Sequence, residues 1–417
     1  MLISFTVSLS MNGKKMKILV FNAGSSSHKS NLYEVAAPLH DTPPQPLWEA
    51  QADWSRKPGK TELKVQANGH TLTRELATDE RTEVIKQMMQ TLWADETKVI
   101  NNLDDIAVVG HRVVHGGTDF TQSVRIDQHV QDAIGKLAEF APLHNPADLA
   151  GITTIQQIKS TIPQVAVFDT AFHSHLPREV QIYPALYEWY EQGIRRYGFH
   201  GISHQYCTRR SAQLVGRDQQ GLRLINCHLG NGCSLAAIHN GHSIDTTMGF
   251  TPLDGLMMGT RSGSIDPSIL IYLEREKGYT ADKLEQVLNQ ESGLKGISGI
   301  SSDVRAIEDA IKEGNERAQL ALDIFIYRLR YFIGAMLATL GGVDVLTFTG
   351  GIGENDTMIR AKVCENFSFL NLKLDQQANN TNPVDKDIAT PDSAIRVLVV
   401  HTQEDWEIAR ESWRLMQ

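Results

Sequence analysis

Cysteine is scarce in this sequence: four occur in 417 residues, at Cys207, Cys227, Cys233 and Cys364. None belongs to a C-x-x-C pair, which argues against a zinc ribbon or a dithiol redox motif and fits a reduced, cytoplasmic setting. No apolar run approaches the ~18 residues of a membrane helix, so no membrane partner is expected. Basic residues are outnumbered, 40 Lys and Arg against 49 Asp and Glu, for a net charge of −9. Nucleic acid and anionic lipid are therefore poor partners, and an anionic small ligand needs a local cationic site. The Walker A pattern G-x-x-x-x-G-K-[ST] is missing, which removes the P-loop nucleoside triphosphatases from consideration.

What is present is an ordinary globular composition, 41% hydrophobic and 21% charged, long enough for two or three domains. Residues 1–15 read as a disordered or mis-started extension, and the first strand is expected from Met16. Strand-like and helix-like segments alternate through most of the chain, which argues an α/β fold. Residues 127–140 carry a helical stripe of Val130, Ile134 and Leu137. Asn145-Pro146 predicts an N-cap followed by proline at the first helical position. "VAVF" (165–168) reads as a buried strand ending at Asp169. Residues 303–340 read as helix with a break near Gly314-Asn315, stopped by Gly341-Gly342, and a last helix is expected from about Thr402. The proline-rich stretch 37–46 is the loosest described by composition.

Residues 20–35, "VFNAGSSSHKSNLYEV", read as two strands joined by a Gly/Ser turn. A weak echo follows at 224–241, "LINCHLGNGCSLAAIHNG", and a third glycine turn at 345–355, "VLTFTGGIGEN". Each glycine turn lets backbone N–H groups approach an anion. Three of them at strand ends predict a duplicated fold with one ligand cleft between the halves.

Nine blocks in order then carry a resemblance: "NAGSSSHK", "GHRVVHGG", "APLHNP", "VFDTAFH", "RRYGFHGISH", "CHLGNGCS", "GLMMGTRSGSIDP", "SGISSDVR" and "GGIGEN". From residue 16 onward the chain resembles the acetate kinase family of the acetate and sugar kinase, Hsp70 and actin superfamily. The resemblance implies a two-domain actin-like ATPase fold, a duplicated ribonuclease H-like topology with an interdomain cleft. The expected domains are 16–169 with 404–417, on the acetate side, and 170–403, on the nucleotide side. It also implies ATP or ADP as co-substrate, Mg²⁺ (with Mn²⁺ as a substitute), acetate or acetyl phosphate as substrate, and a homodimer.

Transfer of a γ-phosphoryl group between two anions needs positive charge, hydrogen-bond donors and in-line positioning. By resemblance, Arg112 holds the substrate carboxylate, Arg261 and His200 meet the phosphoryl group, and Asp169 is the active-site carboxylate. Acetate is already ionised at neutral pH, so Asp169 is expected to organise the site rather than to act as a base. Val114, Leu143, Phe199 and Pro252 match a pocket for the substrate methyl, with His144 in a secondary role. Asn22 and Glu404 match the magnesium ligands. The nucleotide is expected on His228, Leu229, Gly230, Asn231 and Gly232, on Asp303, Val304 and Arg305, and on Gly351, Ile352, Gly353, Glu354 and Asn355. Lys29, Ser25 and Ser27 are expected on the phosphate side. Each has a plainer reading: Asp169 and Glu404 as helix-terminus residues, His200 and the apolar set as core.

Two departures from the family pattern stand out. Ser264 replaces the first Asp of the usual "GTRSGDIDP", and "SSSHKS" replaces "SSSLKF", which brings in His28 and Ser30. The close rival activity is that of a propionate or broader short-chain carboxylate kinase, since one methylene is worth only ~1–3 kcal/mol in an apolar pocket. A non-catalytic ATP-binding module needs the phosphate loops but not Arg112, Asp169, His200 and Arg261.

Overall fold

A computed structural model describes residues 15–24, 27–54, 59–141 and 144–417. Two sheets carry the architecture. The first has eight strands in the order β5-β4-β3-β2-β1-β6-β8-β7. They are β1 (Met16–Ala23), β2 (Ser27–Val35), β3 (Trp48–Asp53), β4 (Thr61–Ala67), β5 (His70–Leu76), β6 (Ile106–Val113), β7 (Val124–Arg125) and β8 (Gln164–Phe168). The second runs β11-β10-β9-β12-β14-β13. Its strands are β9 (Arg223–Leu229), β10 (Cys233–His239), β11 (His242–Thr246), β12 (Val345–Thr349), β13 (Lys386–Asp387) and β14 (Arg396–Val399).

The two sheets repeat one plan. In each, three antiparallel strands (β1-β2-β3, β9-β10-β11) are followed by two strands parallel to the first (β6 and β8, β12 and β14). The echoing stretches of sequence are the equivalent hairpins β1–β2 and β9–β10. Register in the first pairs Asn22 with Lys29 and Ala23 with His28. The parallel strands are buried on both faces: Val165–Phe168 is an unbroken apolar run, and Val345–Phe348 is apolar but for the buried Thr347, whose hydroxyl pairs with Ser211.

Between the sheets lie the helices Gly201–Leu214 and Glu404–Leu415. One buried cluster joins Ile18, Val108 and Val167 of the first sheet, Leu224, Val345 and Leu398 of the second, and Ile202, Tyr206, Trp406 and Ile408 of these helices. The C-terminal helix presses closely on β6: a Cβ on Gly110 would sit 2.2 Å from Ser412 Oγ and 2.8 Å from Ile408 Cγ2.

Several boundaries differ from the sequence reading. The helix begins at Asn145 itself, with Pro146 in its first turn and His144 at the cap position without a side-chain cap bond. "GGIGEN" is a short helix, Gly350–Asn355, that starts directly at the end of β12 instead of a turn. The last helix starts at Glu404. The helix expected over 127–140 is α-helical over Gln128–Lys136 and closes in a 3₁₀ turn, Leu137–Glu139. The break at Gly314-Asn315 and the stop at Gly341, with φ 63°, are as expected. Residues 1–14, Ser25 and Leu143 lie outside the described residues.

Candidate active site

The site gathers at the carboxyl ends of β1, β6, β8, β9 and β12, where ligands bind open α/β sheets. Arg112, near the end of β6, is held from two sides. Its Nε and Nη2 donate to Asp169 Oδ2 at 3.0 and 2.5 Å, and Nη1 donates to the carbonyl of Ala23 at 3.1 Å. Burial opposes its charge, but the Asp169 carboxylate more than offsets this and raises the guanidinium pKa. A guanidinium has five N–H bonds. Three are used among the described residues, which leaves two for an anion.

Asp169 follows β8. Its N–H donates to Val113 O, and its own carbonyl accepts from Gly201 N at 2.9 Å. A Cβ on Gly201 would lie 2.1 Å from that carbonyl, so only glycine lets the helix start against the strand end. The preceding residue, His200, takes φ 57°, the left-handed region unusual for a side-chain-bearing residue. This turn delivers its ring to the cleft. The ring stacks on His228 at 4.3 Å, and Nδ1 lies 2.9 Å from Ser234 Oγ. Burial, then His228, His204 and the arginines, drive its pKa well below the usual value, so the imidazole is neutral.

Arg261 comes from the loop 255–263 and donates to Pro252 O at 3.4 Å. A point in the cleft just off Gly232 Cα lies 3.4 Å from His200 Nε2 and 3.6 Å from Arg261 Nη1. The imidazole edge of His200 and the Arg261 guanidinium therefore come together beside Gly232. His144 is neutral too, its pKa pushed down to about 4 by burial and then by Arg112 and Arg261. Val114 and Phe199 are buried in one cluster beside His115 and Tyr197. Pro252 is half-buried at the loop start.

Next to Ala23, which holds Arg112, Asn22 Nδ2 donates to Asp405 Oδ1 at 2.7 Å and to Glu404 Oε2 at 3.4 Å. Asn31 Nδ2 holds the other Asp405 oxygen at 2.7 Å. The carboxamide nitrogen of Asn22 is thus engaged, which leaves its oxygen and the Glu404 carboxylate as hard oxygen donors. That donor set suits Mg²⁺, which takes one or two protein oxygens and completes its shell with water and phosphate. Asp405 was missed in the sequence; the acidic pair in a first helical turn was the available signal. Lys29 is exposed one strand over, opposite Asn22, and Ser27 begins β2.

A cavity of about 610 Å³ lies beside the β9–β10 turn, within the range of small-molecule pockets. Gly230, Asn231, Asp303, Val304, Arg305, Gly351, Ile352 and Asn355 line it, with Ser302, Glu308, Asp356, Thr357 and Met358, which the sequence reading did not include. The other candidates, and two of the lining ones, are engaged within the fold. Leu229 is in the core. Gly353 is buried, with Phe348 and Cys227 at ordinary contact distance from its would-be Cβ. Glu354 turns back to accept from Gly350 N, Thr402 N and His401. Asp303 caps the helix Val304–Lys312 and pairs with Arg305, which is 86% exposed. His228 binds Ser203 through Nδ1 at 2.8 Å.

The two departures have local explanations. Ser264 Oγ donates to Asp254 Oδ1 at 2.5 Å, where an aspartate would meet like charge. Ser30 Oγ donates to Val20 O at 2.6 Å across the hairpin, and His28 packs edge-on against Phe21 at 4.9 Å.

A profile of the Acetokinase family matches residues 17–410. An acetate kinase of Cyanothece sp. is 59% identical over 96% of this chain and 99% of its own length. One of Gloeobacter violaceus is 58% identical over 96% and 99%. The crystal structure of Porphyromonas gingivalis acetate kinase superposes with a TM-score of 0.88 at 40% identity, covering 96% of this chain and all of that one. A propionate kinase from Francisella tularensis gives 0.87 at 37% identity, over 96% and 100%. Profile, close relatives and fold agree along nearly the whole described chain, and with the cleft's paired arginines and histidine they make it a member of the acetokinase family.

Proposed function

We propose that this protein is an acetate kinase, transferring the γ-phosphoryl group of ATP to acetate and giving acetyl phosphate and ADP, reversibly. The observation that carries this is Arg112: a part-buried guanidinium, fixed by Asp169 and Ala23, with two N–H groups left over among the described residues and near enough to His200 and Arg261 to join burial in lowering both their pKa values.

One acetate oxygen attacks the γ-phosphorus, and the bond from that phosphorus to the β,γ-bridging oxygen breaks, its electron pair leaving on ADP. Arg112 binds the acetate carboxylate and holds the attacking oxygen in line. Arg261 and the His200 N–H stabilise charge on the peripheral phosphoryl oxygens. Asp169 fixes the orientation of Arg112, and no proton needs removing from a carboxylate nucleophile. Asn22 and Glu404 would hold Mg²⁺, which when bound neutralises phosphate charge. The cavity lined by Gly230, Asp303 and Gly351 takes the adenosine side. Val114, Phe199 and Pro252 limit the acyl chain.

A second reading, propionate kinase, is favoured by the relative of that activity at 37% identity. Acetyl phosphate trapped as hydroxamate, with kcat/KM compared for acetate, propionate and butyrate, tests both. Failure to form any acyl phosphate with Mg-ATP overturns the proposal; a preference for propionate selects the second reading.

Two further statements belong to the proposal. The helix Ser268–Lys277 has no buried residue, although it carries Ile269, Ile271 and Tyr272. Leu320, Tyr327 and Tyr331 of the helix Glu316–Leu340 are exposed as well. Such surface supports a homodimer. All four cysteines are free and buried, in keeping with a cytoplasmic setting, and among the described residues no helix is long and apolar enough to cross a membrane.

A further inference from the structure

His200 does not meet the cleft alone. Its Nδ1 lies 2.9 Å from Ser234 Oγ, and the same hydroxyl lies 2.8 Å from His204 Nε2. Ser234 and His204 are fully buried. A hydroxyl has one proton to give, and Ser234 Oγ has no further partner among the described residues; accepting from both rings would leave that proton without an acceptor, so it donates to one imidazole nitrogen and accepts from the other. Two arrangements follow. In the first, His204 Nε2–H donates to Ser234, Ser234 donates to His200 Nδ1, and the His200 proton sits on Nε2. In the second every direction reverses, and His200 Nε2 is a bare lone pair.

Both ends of the chain of bonds favour the first. His204 Nδ1 is buried with no partner among the described residues. The second arrangement would put a proton on that nitrogen and bury an orphan donor, whereas the first leaves only an unused lone pair there. Orphaned buried donors are the rarer defect. At the other end His200 Nε2 and Arg261 Nη1 both lie within 3.6 Å of one point off Gly232, and a phosphoryl oxygen bound between them needs an N–H, not a lone pair.

We propose that Ser234 and His204 are positioning residues that set the tautomer of His200, holding its proton on Nε2 toward the transferring phosphoryl group. Burial first and the neighbouring histidines next lower the pKa of both rings well below the usual value, so tautomer and not charge decides which atom donates. The inference rests on the reading of His200 as a phosphoryl ligand.

Nitrogen-15 NMR of the imidazoles reads the tautomer directly. The Nε2–H form of His200 is expected to dominate in the resting enzyme at neutral pH; a dominant Nδ1–H form overturns the proposal. Ser234→Ala is expected to populate the Nδ1–H form and to lower kcat about 10- to 100-fold, the cost of a weakened oxyanion donor, with both KM values held within about threefold. His200→Gln places an amide N–H near Nε2 and has no tautomer to set. In that background Ser234→Ala is expected to cost less than about threefold, a non-additive cycle. Equal losses in both backgrounds make Ser234 a packing residue and overturn the proposal. A His200→Ala variant with undiminished kcat overturns the reading of His200 itself, whereas the spectrum can sink the tautomer proposal while that reading stands.

Discussion

Asn22 shows what a single side chain decides. Its amide nitrogen ties the first strand to Glu404 and Asp405, 382 and 383 residues away. Glu404→Gln keeps the hydrogen-bonding shape but removes the charge. It is expected to raise the Mg²⁺ concentration for half-maximal activity about 10- to 100-fold, measured by titrating Mg²⁺ into chelator-treated enzyme; an unchanged requirement would place the metal elsewhere. Asp148 is a residue-scale oddity of another kind. It is buried, accepts from Val114 N at 3.0 Å, and burial pushes its carboxyl pKa from 3.8 up to about 7. A raised folded-state pKa means that the fold favours the protonated acid, so stability is full below about pH 4 and falls as pH rises through 7. Asp148→Asn is expected to gain stability relative to the parent between pH 5 and 8, by at most about 4 kcal/mol at one unit per ~1.4 kcal/mol. Melting curves across that range check it; a constant difference would refute the shift. Neither Asp148 nor Asp405 was legible in the sequence, because each looks like a helix-turn carboxylate until the strand it faces is known.

At the scale of elements, the hairpin β1–β2 was readable because a Gly/Ser turn between two apolar runs has few other outcomes. "GGIGEN" was not, since glycines say that the backbone can bend and not which way; Glu354 accepting from Gly350 N helps to close that turn as helix. Gly110 sits where element meets element. Gly110→Ala forces its methyl onto Ser412 and Ile408, which pushes the C-terminal helix off β6 and carries Glu404 with it. The expected result is a loss of about 1–3 kcal/mol with a matching rise in the Mg²⁺ requirement, read by denaturant melts and activity together. A stability loss with normal Mg²⁺ dependence would uncouple the helix from the site.

For the whole molecule, assembly and specificity are the open quantities. Ile269→Glu combined with Tyr272→Glu places charge on the exposed helix and is expected to turn a dimer into monomers in sedimentation; a wild-type chain that is monomeric at micromolar concentration would remove the basis for this. Val114→Ala enlarges the pocket by two methyls and is expected to move the propionate-to-acetate ratio of kcat/KM up by about 10-fold; an unchanged ratio would take Val114 out of the pocket. Apolar periodicity and glycine turns act locally, so the class of fold and its duplicated hairpins could be read from the sequence alone, whereas the residues of the chemistry came only through the resemblance to a family. Only the tertiary structure decided which donors remain free: that Arg112 keeps two N–H groups after Asp169 and Ala23, that Glu354 is turned away, that Ser264 answers Asp254, and that one serine proton joins His200 to His204. Those are matters of hydrogen-bond geometry between residues 10 to 89 positions apart, which no local pattern encodes.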